Sequence, residues 1–161
     1  MILILLDTGL RLSEISNIKL RDIDLDRETI RVMGKGAQER LVRIGKTTQK
    51  ALMRYILVRT DDYEELWISQ EHKPMTIAGI QIILRRLCNR AEITDAKRGP
   101  HSFRHTAATA CLRNGMPETY VQTLLGHRDL RMTRRYTRTI NSDDAIKAHI
   151  SASPVDRMGL R

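Results

Sequence analysis

Four groups of residues in this chain have types and spacings suited to chemistry at a phosphate. Tyr136 stands among Arg134, Arg135 and Arg138, nine residues after His127. His101, Arg104 and His105 fall within five residues of one another, Arg11 is followed three residues on by Glu14, and Lys35 lies between Gly34 and Gly36. Breaking a phosphodiester bond without a metal requires charge on the non-bridging oxygens to be stabilised. It also requires a nucleophile, an acid for the leaving 5′-oxygen and a base or hydrogen-bond acceptor for the nucleophile's proton. Guanidinium groups suit the first task, being always charged and donating in a fixed fork. A phenol among arginines has its phenolate favoured electrostatically, which assists attack.

Each group also has an ordinary structural reading. His101 and His105 have the i,i+4 spacing of zinc-binding helices, but Arg104 between them repels a cation and no acidic or cysteine ligand flanks them, so no metal is expected. A hairpin lysine such as Lys35 often only keeps a turn soluble. Arg11 and Glu14 can be a surface ion pair of little consequence. Tyr136 can simply stack on arginine, and Tyr55, Tyr63 and Tyr120 are other phenols, in helix-core or acidic surroundings.

The elements that must position these residues follow from patterning. Residues 2–6 read as the end of a helix, broken at Thr8-Gly9, and Ser13 is a candidate cap for a short second helix bearing Ile15 and Ile18. Thr29 to Met33 and Arg40 to Ile44 alternate as strands, putting Lys35 at a hairpin tip. Thr47 to Val58 is helical, with Leu52, Tyr55 and Ile56 on one side; 60–65 is an acidic loop, and Leu66 to Ser69 a short strand. Thr76 caps a helix whose apolar stripe is Ile77, Ile80, Leu84 and Leu87. A helix from Ser102 to Asn114 closes at Gly115 and puts His101, Arg104, His105 and Ala108 on one stripe, where small neighbours at Ala107 and Ala110 leave room for a ligand's backbone. Pro117 opens the next helix and Gly126 ends it. Residues 129–138 form a short basic helical turn, 143–150 another helix, and the end is loose. The expected fold is α+β, mainly helical, with a small β-hairpin or three-stranded sheet packed on a helical bundle. A chain that begins inside a helix reads as an excised domain.

Composition fits a globular domain with one phosphate-facing surface. Of the 161 residues, 41% are apolar and only 4% aromatic, so Leu, Ile, Val and Ala fill the core. The net charge of +9 is unevenly placed: residues 97–138 hold nine Lys or Arg against Glu118 and Asp129, whereas Asp61, Asp62, Glu64 and Glu65 cluster elsewhere. That segregation is what a protein with a single phosphate-facing surface would show, and a solvated basic helix face would show it equally. No apolar run reaches the roughly 18 residues of a membrane span, and the apolar start at Met1 to Leu6 lacks the basic flank of a signal peptide. Cys88 and Cys111 are expected to be reduced, buried thiols of a cytoplasmic protein.

Thr-Gly-Leu-Arg-Leu-Ser-Glu-Ile at 8–15, Gly-Lys-Gly at 34–36, His-Ser-Phe-Arg-His-Thr at 101–106, Leu-Leu-Gly-His at 124–127 and Arg-Tyr-Thr at 135–137 together resemble the tyrosine recombinase, or phage integrase, family. They occur in the family's order across nearly the whole chain. The resemblance implies a tyrosine-recombinase-type catalytic domain over 1–138, with 139–161 as a C-terminal tail exchanged between subunits. It implies that the family's N-terminal DNA-clamping domain is absent, so that DNA is bound weakly. Arg11 and Arg104 would hold the phosphate, Lys35 would be the general acid, His101 a base or hydrogen-bond partner and His127 a phosphate ligand. Tyr136 would be the nucleophile, forming a 3′-phosphotyrosine. Glu14 and His105 would support the site, and Arg98, Arg128, Arg134 and Arg135 would bind DNA. No cofactor or metal is implied; the partners would be double-stranded DNA and further copies of the chain, a tetramer on DNA and a monomer or weak dimer when free. A type IB topoisomerase-like relaxing enzyme and a catalytically silent DNA-binding module are the alternatives.

Overall fold

The computed structural model describes residues 1–34, 39–93 and 99–126. The chain divides into two compact units, Met1–Ala107 and Ala108–Arg161. The expected boundary between 138 and 139 lies outside the described residues.

The first unit is α+β. Helix α1 (Ile2–Thr8) buries Ile4, Leu5 and Thr8. It stops at Gly9, whose φ of 62° is left-handed and whose N–H returns to the Leu5 carbonyl at 2.9 Å. A residue with a Cβ is strained in that conformation, which accounts for glycine as the helix stop. Helix α2 (Leu12–Ser16) starts immediately after Arg11. Ser13 is therefore inside the helix and does not cap it; the Glu14 carboxylate reaches back to the Arg11 amide at 2.8 Å and does that work. Ser16 in turn bonds the Ser13 carbonyl at 3.0 Å.

A 3₁₀ turn at Leu20–Asp22 leads into a three-stranded antiparallel sheet in the order β1 (Ile23–Asp24), β2 (Thr29–Met33), β3 (Glu39–Arg43). Ile30 pairs with Val42 and Val32 with Arg40. Directly paired residues project to the same side of a sheet, so Ile30, Val32, Val42 and Arg40 share the inner face. The three apolar ones are buried. The outer face carries Arg31, Met33, Leu41 and Arg43, all exposed.

Helix α3 (Lys46–Leu57) packs on α1. Its first turn is tied to α1 by the Gly45 N–H, which donates to Asp7 Oδ2 at 2.6 Å. Of its expected inner side, Leu52 is buried and Tyr55 and Ile56 half-buried. Tyr55 lies against Trp67, ring centroids 5.5 Å apart, and its hydroxyl accepts the Ile68 N–H at 3.0 Å. The Trp67 indole N–H donates to the Ile15 carbonyl at 2.8 Å, joining this layer to α2. Leu66 to Ser69, expected as a strand, forms none: it makes an isolated bridge, Ile68 to Pro74, because its backbone bonds go to separate partners, Leu66 N–H to the Ile18 carbonyl at 2.8 Å and Ser69 N–H to the Lys73 carbonyl at 2.8 Å, and build no continuous ladder. In the preceding loop Arg59 pairs with Asp61 and donates to the Tyr63 and Glu65 carbonyls at 2.8 Å each.

Helix α4 (Ile77–Arg90) is capped by Thr76, whose hydroxyl accepts the Gly79 N–H at 3.1 Å, and packs against α2. Its buried stripe is Ile80, Leu84 and Cys88; Ile77, placed there by spacing alone, is exposed because it lies in the first turn beyond the packed contact. Helix α5 (Pro100–Arg113) starts two residues before the expected Ser102, since the fixed φ of proline suits a first helical turn.

In the second unit the described part is the end of α5 and α6 (Glu118–Leu125). Ala108, Leu112, Val121 and Leu125 form its core, with Cys111 packed at the edge. Neither Cys88 nor Cys111 is in a disulfide; the first is buried, as expected, and the second only half-buried. Pro117 precedes α6 as its cap, and Gly126, left-handed at φ 63°, ends it. No helix among the described residues is long and apolar enough to cross a membrane.

Candidate active site

The turn between α1 and α2 organises two arginines from distant parts of the chain. Gly9 ends α1 with its carbonyl unused by the helix, and Arg104 Nη1 donates to that oxygen at 2.7 Å in a buried setting. Two residues later Arg11 occupies the cap of α2, with extended backbone (φ −72°, ψ 155°). Its guanidinium is held by Glu14, Nη1 to Oε1 at 3.0 Å, and the side chain as a whole remains 37% exposed. A buried guanidinium is tolerated only when hydrogen-bonded, and a planar one held at one nitrogen has its plane restricted. Arg104 is thus oriented by the same turn that presents Arg11.

Glu14 is the hub of this arrangement. Its side chain is 3% exposed, and four bonds reach its two oxygens. Arg11 supplies its amide at 2.8 Å and Nη1 at 3.0 Å; Arg40 supplies Nη1 at 2.8 Å and Nη2 at 3.0 Å. Burial alone would push this carboxyl up. The Arg40 fork, the Arg11 amide and the charges of both arginines outweigh it and hold the pKa below the ordinary 4.5. Arg40 escaped the sequence reading, although a signal for it existed. It has the parity of Val42 in β3 and of Ile44 just after it, and a charged residue on the inward parity of an alternating strand implies a buried partner.

Helix α5 carries the histidines. The stripe expected to hold His101, Arg104, His105 and Ala108 is divided: Arg104 and Ala108 are buried, whereas His101 and His105 are exposed. The two histidines line a cavity of ≈ 760 Å³ with Ile2, Leu6, Leu87, Cys88 and Phe103. Ala107, expected to leave space beside the stripe, is instead packed in the core at 1% exposure. Ala110 is exposed.

Lys35, Arg98, His127, Arg128, Arg134, Arg135 and Tyr136 lie outside the described residues. The structure gives their approaches: Gly34 follows β2, Glu39 begins β3, and the left-handed Gly126 turns the chain immediately before His127. Among the described residues, no group of three or more His, Cys, Asp or Glu is arranged so that it could hold a metal ion.

Comparison with known proteins agrees with the motifs. The model of the phage integrase family matches residues 1–142. The tyrosine recombinase XerC of Staphylococcus carnosus is 35% identical over 156 residues, covering 94% of this chain and 52% of that protein. XerC of Corynebacterium glutamicum is 38% identical over 138 residues, covering 83% and 44%. Among solved structures, XerA recombinase superposes with a TM-score of 0.80 at 31% identity, covering 94% of this chain and 56% of that one. The XerH site-specific recombinase, bound to its difH substrate in a pre-cleavage complex, gives 0.72 at 28% identity, covering 84% and 41%. The chain spans about half the length of the curated relatives it matches.

Proposed function

We propose, since this chain belongs to the phage integrase family, that it is the catalytic part of a site-specific DNA recombinase, cutting and rejoining strands through a 3′-phosphotyrosine. The observation that carries this reading is the arrangement around Gly9. Arg11 is presented by a buried, ionised Glu14, and Arg104 is fixed to the carbonyl two residues before it. Two oriented guanidinium groups supported from one turn suit the non-bridging oxygens of a single phosphate, where charge accumulates as the phosphorus becomes five-coordinate.

In this mechanism the Tyr136 oxygen attacks phosphorus while its proton passes to a base, and the bond to the 5′-oxygen breaks. Lys35 delivers a proton to that oxygen, leaving a free 5′-hydroxyl. His101 assists as base or hydrogen-bond partner, and His127 hydrogen-bonds the phosphate. The phosphodiester energy stays in the covalent link, so a second 5′-hydroxyl can reverse the step with no ATP. Arg98, Arg128, Arg134 and Arg135 contact the backbone of double-stranded DNA, which fixes register more than it selects sequence. The catalytic unit runs over 1–138, and 139–161 is a tail exchanged between neighbours in a tetramer on DNA, acting in the cytoplasm.

A duplex with a nick beside the cleavage point tests the chemistry, because the short product strand diffuses away and traps the adduct. The chain should become covalently attached to DNA in EDTA, and Tyr136→Phe should not. An adduct that persists in Tyr136→Phe rejects the nucleophile, and a requirement for added Mg²⁺ rejects the mechanism.

A further inference from the structure

Arg40 lies outside every motif that carries the family resemblance, and its position is an expensive one for arginine. Paired with Val32 on the inner face of the sheet, its side chain is only 16% exposed. An apolar residue there would serve the sheet without the cost of desolvating a guanidinium. What Arg40 does instead is grip both oxygens of Glu14, Nη1 to Oε1 at 2.8 Å and Nη2 to Oε2 at 3.0 Å. Those same oxygens hold Arg11, Oε1 its guanidinium and Oε2 its amide. The fork therefore sets the plane of a carboxylate whose two oxygens also hold Arg11. With a smaller residue at 40, Glu14 would retain Arg11, a side chain more than a third exposed, and the pair would be able to rotate together toward solvent.

We propose, on the reading of Arg11 as a phosphate ligand given above, that Arg40 is a positioning residue for strand cleavage: its bidentate grip on Glu14 fixes the carboxylate that aims the Arg11 guanidinium. The chain of contacts runs from β3 through the buried carboxylate to the cap of α2. It makes the alignment of Arg11 depend on a strand 26 residues away in sequence from Glu14. A structural arginine would brace the sheet against α2 and have no selective effect on Arg11.

The test compares Arg40→Ala and Arg40→Lys in the whole chain by two measurements. The first is the ordering of the Arg11 guanidinium, read from side-chain ¹⁵N NMR in the absence of DNA. The Trp67 indole N–H, bonded to the Ile15 carbonyl, reports in the same spectra that α2 is intact. Arg40→Ala should leave that indole signal in place and release Arg11. Arg40→Lys, which keeps the charge and loses the fork, should release it in part. The second is the rate of covalent attachment to the nicked duplex, which Arg40→Ala should lower by roughly 10- to 100-fold, as displacement of a positioned group does. In an Arg11→Ala background the same substitution should have no further effect. The proposal is overturned if Arg11 stays as ordered in both variants as in the wild type. An equal loss of rate with and without Arg11 would overturn it too. Should Arg40→Ala fail to fold, Arg40→Lys decides alone, with wild-type ordering and rate counting against the proposal. If the wild-type chain forms no adduct, the reading of strand cleavage fails, and the Arg11 ordering still decides whether Arg40 positions it.

Discussion

Glu14 makes the site sensitive to acid in a direction that its surroundings determine. Its folded pKa is depressed below 4.5, with burial opposing and the Arg40 and Arg11 bonds prevailing. A depressed carboxyl contributes stability that is fully present above the unfolded pKa and is lost as pH falls through the folded one. Glu14→Gln should therefore destabilise the chain at neutral pH, toward the lower end of the roughly 3–5 kcal/mol seen when one partner of a buried pair is removed, because Arg11 keeps some water. Denaturant unfolding at several pH values checks this: the gap between wild type and Glu14→Gln should narrow as the pH drops below about 4.5. A gap that stays constant down to acid pH would mean that the carboxylate does not carry the pair. Arg104 calls for a different measurement. Arg104→Lys keeps the charge but replaces a planar fork by a point donor, and it should slow adduct formation on the nicked duplex by about 10²–10³-fold. A loss of only two- or threefold would demote Arg104 to a residue that braces Gly9.

At the scale of elements, Gly9 links helix termination to the arginines. Gly9→Ala forces a Cβ into a left-handed backbone at a cost of about 1–2 kcal/mol, and Gly126→Ala, at the end of α6, carries the same strain. The two should lower thermal stability to a similar extent. Only Gly9→Ala shifts the carbonyl that holds Arg104, so a partial loss of Arg104 ordering by side-chain NMR, absent in Gly126→Ala, should separate strain from positioning. The sequence made some of these elements plain and hid others for physical reasons. Helix α4 was legible from Thr76 and the spacing of Ile80, Leu84 and Leu87, and β2 and β3 from alternation over five residues each. Strand β1 was not distinct, because two residues cannot alternate. Ser13 looked like the cap of α2 by residue type, but capping depends on which oxygen reaches the amide, and Glu14 reaches it first. In the site, Arg11, Glu14 and Arg104 are legible from the family motifs that hold them, spacing alone leaving Arg11 and Glu14 as an ordinary ion pair, while the contact of Arg104 with Gly9 spans 95 residues and no local pattern encodes it. Arg40 has the inward parity of Val42, a visible signal, but its partner Glu14 lies 26 residues away and the strand itself does not encode it.

For the whole molecule, the decisive quantity is charge and how it is placed. A net charge of +9 on 161 residues favours any polyanion, so affinity for DNA by itself would say little. The salt dependence says more, because each phosphate neutralised releases counterions and contributes about 0.9 to the slope of log K against log salt. If Arg98, Arg128, Arg134 and Arg135 contact the DNA backbone, each Arg→Gln substitution should weaken binding evenly across sequences and lower that slope by about 1. Arg27 and Arg43 provide the contrast. They are exposed cations already paired with Asp24 and Glu28, so their replacement should leave the slope unchanged. The chain spans about half the length of its curated relatives. Fluorescence anisotropy over a range of salt should accordingly give a shallower slope, and weaker binding at physiological salt, than a full-length relative on its own site. A slope as steep as the relative's would place an equal number of backbone contacts within these 161 residues.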